Sequence, residues 1–250
     1  MSTKKFLVAA VAALALGATA QAQTNLQTFY DLGKDRGHFT TTLEGFYGDK
    51  WGNTFFFVDY DYNHRDGNKV VSPSGTYFEI ARCLNFWQNS ALSPLSLHVE
   101  YNGGVYRGYT INNAFLVGLD YFLHSKDFKN TFNFKVLYKK IALGTSDVPL
   151  QFTFVWGMQD IFGVPGLRFS GFADFWWENH TLFTDSKGNT LAVPATSKYV
   201  FISEPQLWYH IGRHFGVDNL HIGGEVELSY DFGTAQGFWA RPCLGTKWVF

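Results

Sequence analysis

Three sets of residues have types and spacings that could support chemistry. Ser96 and His98 are two apart with Asn102 beyond them, so on an extended segment all three share a face and offer a nucleophile, a base and an orienting amide. His210 and His214 are four apart, a metal-binding interval on a helix, but on a strand their side chains are separated by roughly 13 Å, too far to share one ion. Cys83 and Cys243 are the only cysteines. Two are too few for a disulfide scaffold or a Cys-rich zinc site, and both are expected to be free. The Ser96 group has no Gly-x-Ser-x-Gly elbow around it, and the chain has no phosphate-binding loop. The expectation is therefore no enzyme, no catalytic residue, no metal and no cofactor.

Any chemistry must then come from how rings and charges are distributed along the elements that carry them. The chain has 250 residues, 20 basic and 21 acidic, so a formal charge of −1 gives no reason to expect a nucleic acid polymer as partner. Aromatic residues make up 19% (26 Phe, 13 Tyr, 8 Trp), far above an ordinary soluble domain. Lys4 and Lys5 precede an apolar run over 6–16, and Ala20-Gln21-Ala22 carries the small residues that a signal peptidase reads. That run is too short to span a bilayer, which takes about 20 residues. Residues 1–22 are expected to be a cleaved export signal, and 23–250 a single domain.

From there on, apolar and polar positions alternate over segments of about ten residues, punctuated by Gly, Asn, Asp, Pro and Ser. Phe132, Phe134, Val136 and Tyr138 oppose Asn133, Lys135, Leu137 and Lys139; Ile222, Gly224, Val226 and Leu228 oppose His221, Gly223, Glu225 and Glu227. Twelve strands are predicted, at 25–32, 38–46, 53–63, 76–85, 95–106, 114–124, 131–141, 150–157, 167–178, 199–213, 220–231 and 237–250, with the longest connections at 64–75 and 179–197. A soluble sandwich would alternate as well. Here one face is bulky and apolar while the other mixes acids, amines, amides and rings. Aromatics also gather at expected strand ends, as at Tyr60 and Tyr62, Phe86 and Trp87, Trp176 and Trp177, and Trp248 and Phe250. An even-stranded transmembrane antiparallel β-barrel accounts for all of this, with an apolar outer band, aromatic girdles and a polar lumen.

Strand parity then assigns the lumen. The inward candidates are Phe29; Phe55, Phe57, Asp59 and Asp61; Glu79; Glu100; Phe122; Arg168, Phe172, Asp174, Trp176 and Glu178; Glu204 and Trp208; and Glu225 and Glu227. His98, Asp120, Lys135, Lys139, Arg241 and Lys247 fall on the same side. A wall carrying both charge signs with rings between them does not select ions of one sign. It suits an uncharged solute with a flat face and hydroxyls, unless opposite charges pair across the bore and close it. Arg82 falls on the outer face, where lipid would penalise it unless it lies at an interface or a bulge shifts parity, and Pro205 beside Glu204 signals a bulge or a strand end.

The last segment, Phe238, Ala240, Pro242, Leu244, Thr246, Trp248 and Phe250, resembles the closing strand of Gram-negative outer-membrane barrels, whose terminal Phe is the feature read by the assembly machinery. Phe169-Ser170-Gly171-Phe172-Ala173-Asp174-Phe175-Trp176-Trp177, the Tyr121 region and the final strand resemble the nucleoside-specific channel-forming porins. Asp174 precedes Phe175 here, which departs from that family's order. The resemblance implies a monomeric twelve-stranded channel in outer-membrane lipid, passing nucleosides by diffusion. Outer-membrane lipid hydrolases place His before Ser, the reverse of Ser96 and His98. A barrel enzyme acting on lipid and a closed structural or adhesive barrel are the alternatives.

Overall fold

The computed structural model describes residues 23–63, 72–106 and 109–250. The expected export signal at 1–22 and most of the expected connection at 64–75 lie outside the described residues.

The strands are β1 (Gln23–Asp31), β2 (Phe39–Asp49), β3 (Gly52–Asn63), β4 (Ser72–Leu84), β5 (Leu95–Tyr106), β6 (Tyr109–His124), β7 (Asn130–Ile141), β8 (Leu150–Gln159), β9 (Leu167–Thr184), β10 (Thr190–Ser203), β11 (Gln206–Tyr209), β12 (Leu220–Tyr230) and β13 (Phe238–Val249). Every pairing between them is antiparallel, and β1 pairs with β13 from Asn25 opposite Val249 to Asp31 opposite Cys243, which closes the sheet on itself. β10 and β11 both lie between β9 and β12 and form one stave in two pieces. The fold is a closed twelve-stranded transmembrane barrel. Closure removes the open edges that a membrane would not tolerate.

Pro205, which has no N–H, divides that stave. Of the two outcomes expected there, it is the strand end that forms, between Ser203 and Gln206, with the register continuing unchanged from Ile202 opposite Ser229 to Gln206 opposite Glu225. The Glu204 N–H donates to the Phe172 carbonyl, and the Val226 N–H donates to the Pro205 carbonyl. Gly171 makes this crossing possible: a Cβ there would lie 2.3 Å from the Glu204 carbonyl oxygen, and its φ of +155° suits glycine.

Parity can be followed round the ring by direct pairs. Glu79 opposes Asn102, Glu100 opposes Leu116, Lys139 lies one stave from Gln151, Gln151 opposes Trp176, and Trp176 opposes Val200. These positions face the bore. Their chain neighbours Val99, Phe115, Val117, Tyr138, Phe152 and Tyr199 are exposed on the outer face. Within β7 the contrast is between Val136, 50% exposed outside, and Leu137, 0% exposed inside.

Two expectations are corrected, and the outward Arg82 finds its explanation. The span 179–197 is mostly ladder rather than loop: β9 and β10 pair out to Thr184 opposite Thr190, and the turn is confined to 185–189. Trp176 therefore lies mid-strand and inward, not in a girdle at a strand end. The eleventh predicted strand, 199–213, stops at Tyr209 and a 3-10 turn (Ile211–His214) follows, so His210 and His214 do not share a strand face. Arg82 does face outward with its parity intact, opposite Thr54 and Val99, but near the end of β4 it donates to Asp49 at 2.8 Å and to the Thr54 hydroxyl at 3.1 Å. An interfacial ion pair answers the cost that lipid would impose.

Candidate functional site

The inner wall divides into zones, each set by what the register places side by side. On β3 and β4, Phe55, Phe57 and Tyr77 form a chain of half-buried rings with centroids 6.0 and 5.7 Å apart. Glu79 lies opposite Phe57 in the ladder. Asp59 and Asp61 continue the row, each accepting from a threonine hydroxyl of β2, Thr42 and Thr40 respectively, at 2.6 Å. This zone brings five of the expected lumen residues together as acceptors beside rings.

A second zone rests on absent side chains. Phe29 opposes Gly245, Gly245 opposes Gly223, and Gly223 opposes Trp208, in one row over β1, β13, β12 and β11. A Cβ at Gly245 would stand 2.7 Å from the Phe29 ring, and one at Gly223 2.8 Å from Trp208. The two rings lean over these glycines until their centroids are 5.6 Å apart. Trp208 donates its indole N–H to Gln206, which donates to Glu225, and the Lys247 ammonium lies 4.2 Å from the indole centroid. Arg168 stands opposite Trp208 on β9.

The third zone is apolar. Ala114, Leu116, Leu137, Ile141, Trp176, Val200 and Ile202 form a buried cluster inside the barrel, with Phe172 and, from the 231–237 connection, Phe232 packed against it. Trp176 donates to Glu178 at 2.8 Å and carries the Lys139 ammonium 3.8 Å from its ring centroid. Asp174 beside it accepts from Thr153 at 2.5 Å. The Trp176 and Trp208 faces that could stack on a solute thus already hold lysines, contacts worth about 0.5–2 kcal/mol each.

A fourth zone is ionic. Arg241 donates to Glu227 at 2.5 Å and to Asp35 at 2.9 Å, and Arg36 donates to Asp31 at 2.9 Å and to Glu227 at 2.5 Å. Burial works against the Asp35 charge, but hydrogen bonds and the charge of Arg241 outweigh it and hold that carboxyl below its ordinary value of 3.8. Glu204 also faces the bore at the stave break, with Glu225, Glu227 and Asp59 as like charges acting on it. Phe122 sits apart, tilted against His124 at 5.4 Å, toward the barrel end where β1 begins and β13 finishes. Glu100 belongs to none of these zones; it accepts from His98 and Asn102 at 3.0 and 2.9 Å.

Residues 22–250 match the family described as "Domain of unknown function (DUF5020)". The chain belongs to that family. No curated protein matches it. Among solved structures the DUF5020 barrel is similar to "NanC porin structure in rhombohedral crystal form", at TM-score 0.53 and 10% identity, covering 91% of this chain and 99% of that one. Two others are "KdgM porin in complex with disordered oligogalacturonate", at TM-score 0.48 and 10% identity over 91% and 99% of the two chains, and the Acinetobacter baumannii outer membrane protein Omp33, at 0.43 and 12% over 94% and 100%. At 10% identity the likeness to the NanC porin shows a shared fold alone.

Strand parity put the candidates, Lys139 and Lys247 included, on one face of each strand. It could not show the partners that reach them from the connections: Asp35 and Arg36 from the β1–β2 connection and Phe232 from the β12–β13 connection. Opposite charges adjacent in a short connection, Asp35-Arg36, were the available signal. Cys83 and Cys243 are both free and buried. Ser96 and His98 do share the inner face, but the His98 ring nitrogens are taken by Cys83 at 3.3 Å and Glu100 at 3.0 Å.

Proposed function

We propose that this barrel is a monomeric outer-membrane channel of a Gram-negative cell, passing small solutes by diffusion without a catalytic step, with nucleosides as the solute class. The observation that carries the reading is the Phe55–Phe57–Tyr77 ring chain next to Asp59, Asp61 and Glu79. A nucleoside offers a flat base to such rings and ribose hydroxyls to carboxylates. A stacked base contributes about 1–3 kcal/mol, weak enough to leave again. Among the described residues no lysine lies over these rings, unlike Trp176 and Trp208. Export by the 1–22 segment and assembly through Phe250, exposed at the seam where its N–H meets the Thr24 carbonyl, complete the reading.

Planar-bilayer conductance with nucleosides as blockers tests it. Block is expected at millimolar nucleoside, and Phe57→Ala should weaken it roughly 5- to 150-fold, the range that the stacking energy implies. Phe172→Ala and Trp176→Ala should weaken it less. Conductance indifferent to nucleosides would reject the solute class and spare the pore. A second reading, a closed barrel acting through its connections, is favoured by the apolar cluster around Leu137. Absence of any conductance would select it.

A further inference from the structure

Cys83, His98 and Asp120 stand on three consecutive strands, β4, β5 and β6, with Cys83 directly opposite His98 and Asp120 opposite Ser96, one pair along the same face. Gly118 is the residue opposite His98 on β6, so the imidazole meets no facing side chain there. All three side chains are buried. The Cys83 Sγ lies 3.3 Å from His98 Nδ1 and 3.3 Å from Asp120 Oδ2, and the three donor atoms fall within 4.8 Å of one another. Sulfur and nitrogen ligands of a tetrahedral zinc ion are separated by roughly 3.5 Å at ordinary bond lengths. A small rotation of the Asp120 carboxylate would close the set.

The surroundings fix each ligand. The Glu100 carboxylate can only accept, so the 3.0 Å contact to Nε2 places a proton on that nitrogen and leaves Nδ1 as the atom facing sulfur. Asn102 holds the other Glu100 oxygen, and Asn133 donates to both oxygens of Asp120 at 2.8 and 3.0 Å. A carboxylate behind a histidine is the usual orienting partner of a metal-bound imidazole.

Counting protons exposes a deficit. With His98 neutral, Nδ1 and Asp120 both present lone pairs to one sulfur that bears a single proton. That proton can serve only one of the two, and a metal cation between the three would serve both.

We propose that Cys83, His98 and Asp120 form a site for a divalent transition-metal ion of the zinc class, with Glu100 as the positioning residue and one coordination place open. Binding converts the thiol to thiolate while the imidazole binds through Nδ1 and keeps its proton on Nε2. One proton leaves for each ion taken up, and the metal keeps its +2 state. Lys135, opposite Asp120 on β7, is the neighbouring cation that the ion must accommodate. The site is independent of the channel reading, since its signal is spectral and needs no conductance.

The test uses the full barrel refolded in detergent and titrated with Co2+. The expected result is a thiolate-to-cobalt charge-transfer band saturating at one ion per barrel and bleached by Zn2+. The band should persist in Cys243→Ser, vanish in Cys83→Ser and His98→Gln, and require about 10- to 100-fold more cobalt in Glu100→Gln. No band in the wild type, or a band lost only in Cys243→Ser, overturns the proposal. Should Cys83→Ser fail to fold, the Cys243→Ser barrel can be alkylated at Cys83 with and without Zn2+; protection by zinc supports the site, and equal labelling refutes it.

Discussion

The two sides of the bore solve the same problem with opposite chemistry. Around β12, β13 and β1 the wall is an ionic mesh, Arg241 and Arg36 shared among Asp31, Asp35 and Glu227. Across β6, β7, β9 and β10 it is a dry cluster centred on Leu137, with Phe232 as its cover. The mesh depends on every partner being present, because a buried charge that loses its mate is costly. The cluster depends on volume, and a missing methyl group leaves a cavity rather than an orphan charge. A barrel with both should respond to substitution in two distinguishable ways.

The largest effect is expected in the mesh. Arg241→Met leaves Glu227 and Asp35 without their guanidinium and should destabilise the barrel by about 3–5 kcal/mol in urea unfolding; a smaller loss would mean that water or Arg36 takes over. Leu137→Ala should cost about 2–5 kcal/mol but, unlike Arg241→Met, should raise single-channel conductance by hollowing the cluster. Its outward neighbour sharpens the contrast: Val136→Lys should cost about 2–4 kcal/mol in a lipid bilayer and leave conductance unchanged. The mildest test is acid. Asp35 is a stronger acid in the folded barrel than in the unfolded chain, so its stabilisation is complete above the ordinary Asp value and is lost as pH falls through the lower folded one. Amide exchange in 32–38 should therefore accelerate only below about pH 4, and Asp35→Asn should remove that acid response.

Much of this architecture could be read from alternation, because each strand has one side in hydrocarbon and period two runs through residues such as 132–139, where only Leu137 departs from the polar inner side. The segment 95–106 coincides with β5 to the residue. The alternation weakens at the outer ends of β9 and β10: beyond Glu178, polar residues such as Asn179 and His180 follow one another on both faces, and a ladder looks like a loop. The stop after Tyr209 was hidden because His210 and Ile211 continue an alternating pattern while the backbone turns. Site membership was legible only as a face. Which inward residues meet depends on stagger between strands, so Cys83, His98 and Asp120, spread over 38 positions of sequence, show no spacing motif.

The paired glycines 223 and 245 imply one more thing. Where most of a barrel's inner surface is shaped by what projects from it, this patch is shaped by two vacancies, and the indole and phenyl that recline there hold their tilt only while both stay empty. A methyl at either position would also strike the neighbouring strand, 2.0 Å from the Leu207 carbonyl oxygen at Gly223 and 2.6 Å from the Thr28 carbonyl oxygen at Gly245, so the strands themselves, and not only the rings above them, require that floor to stay bare.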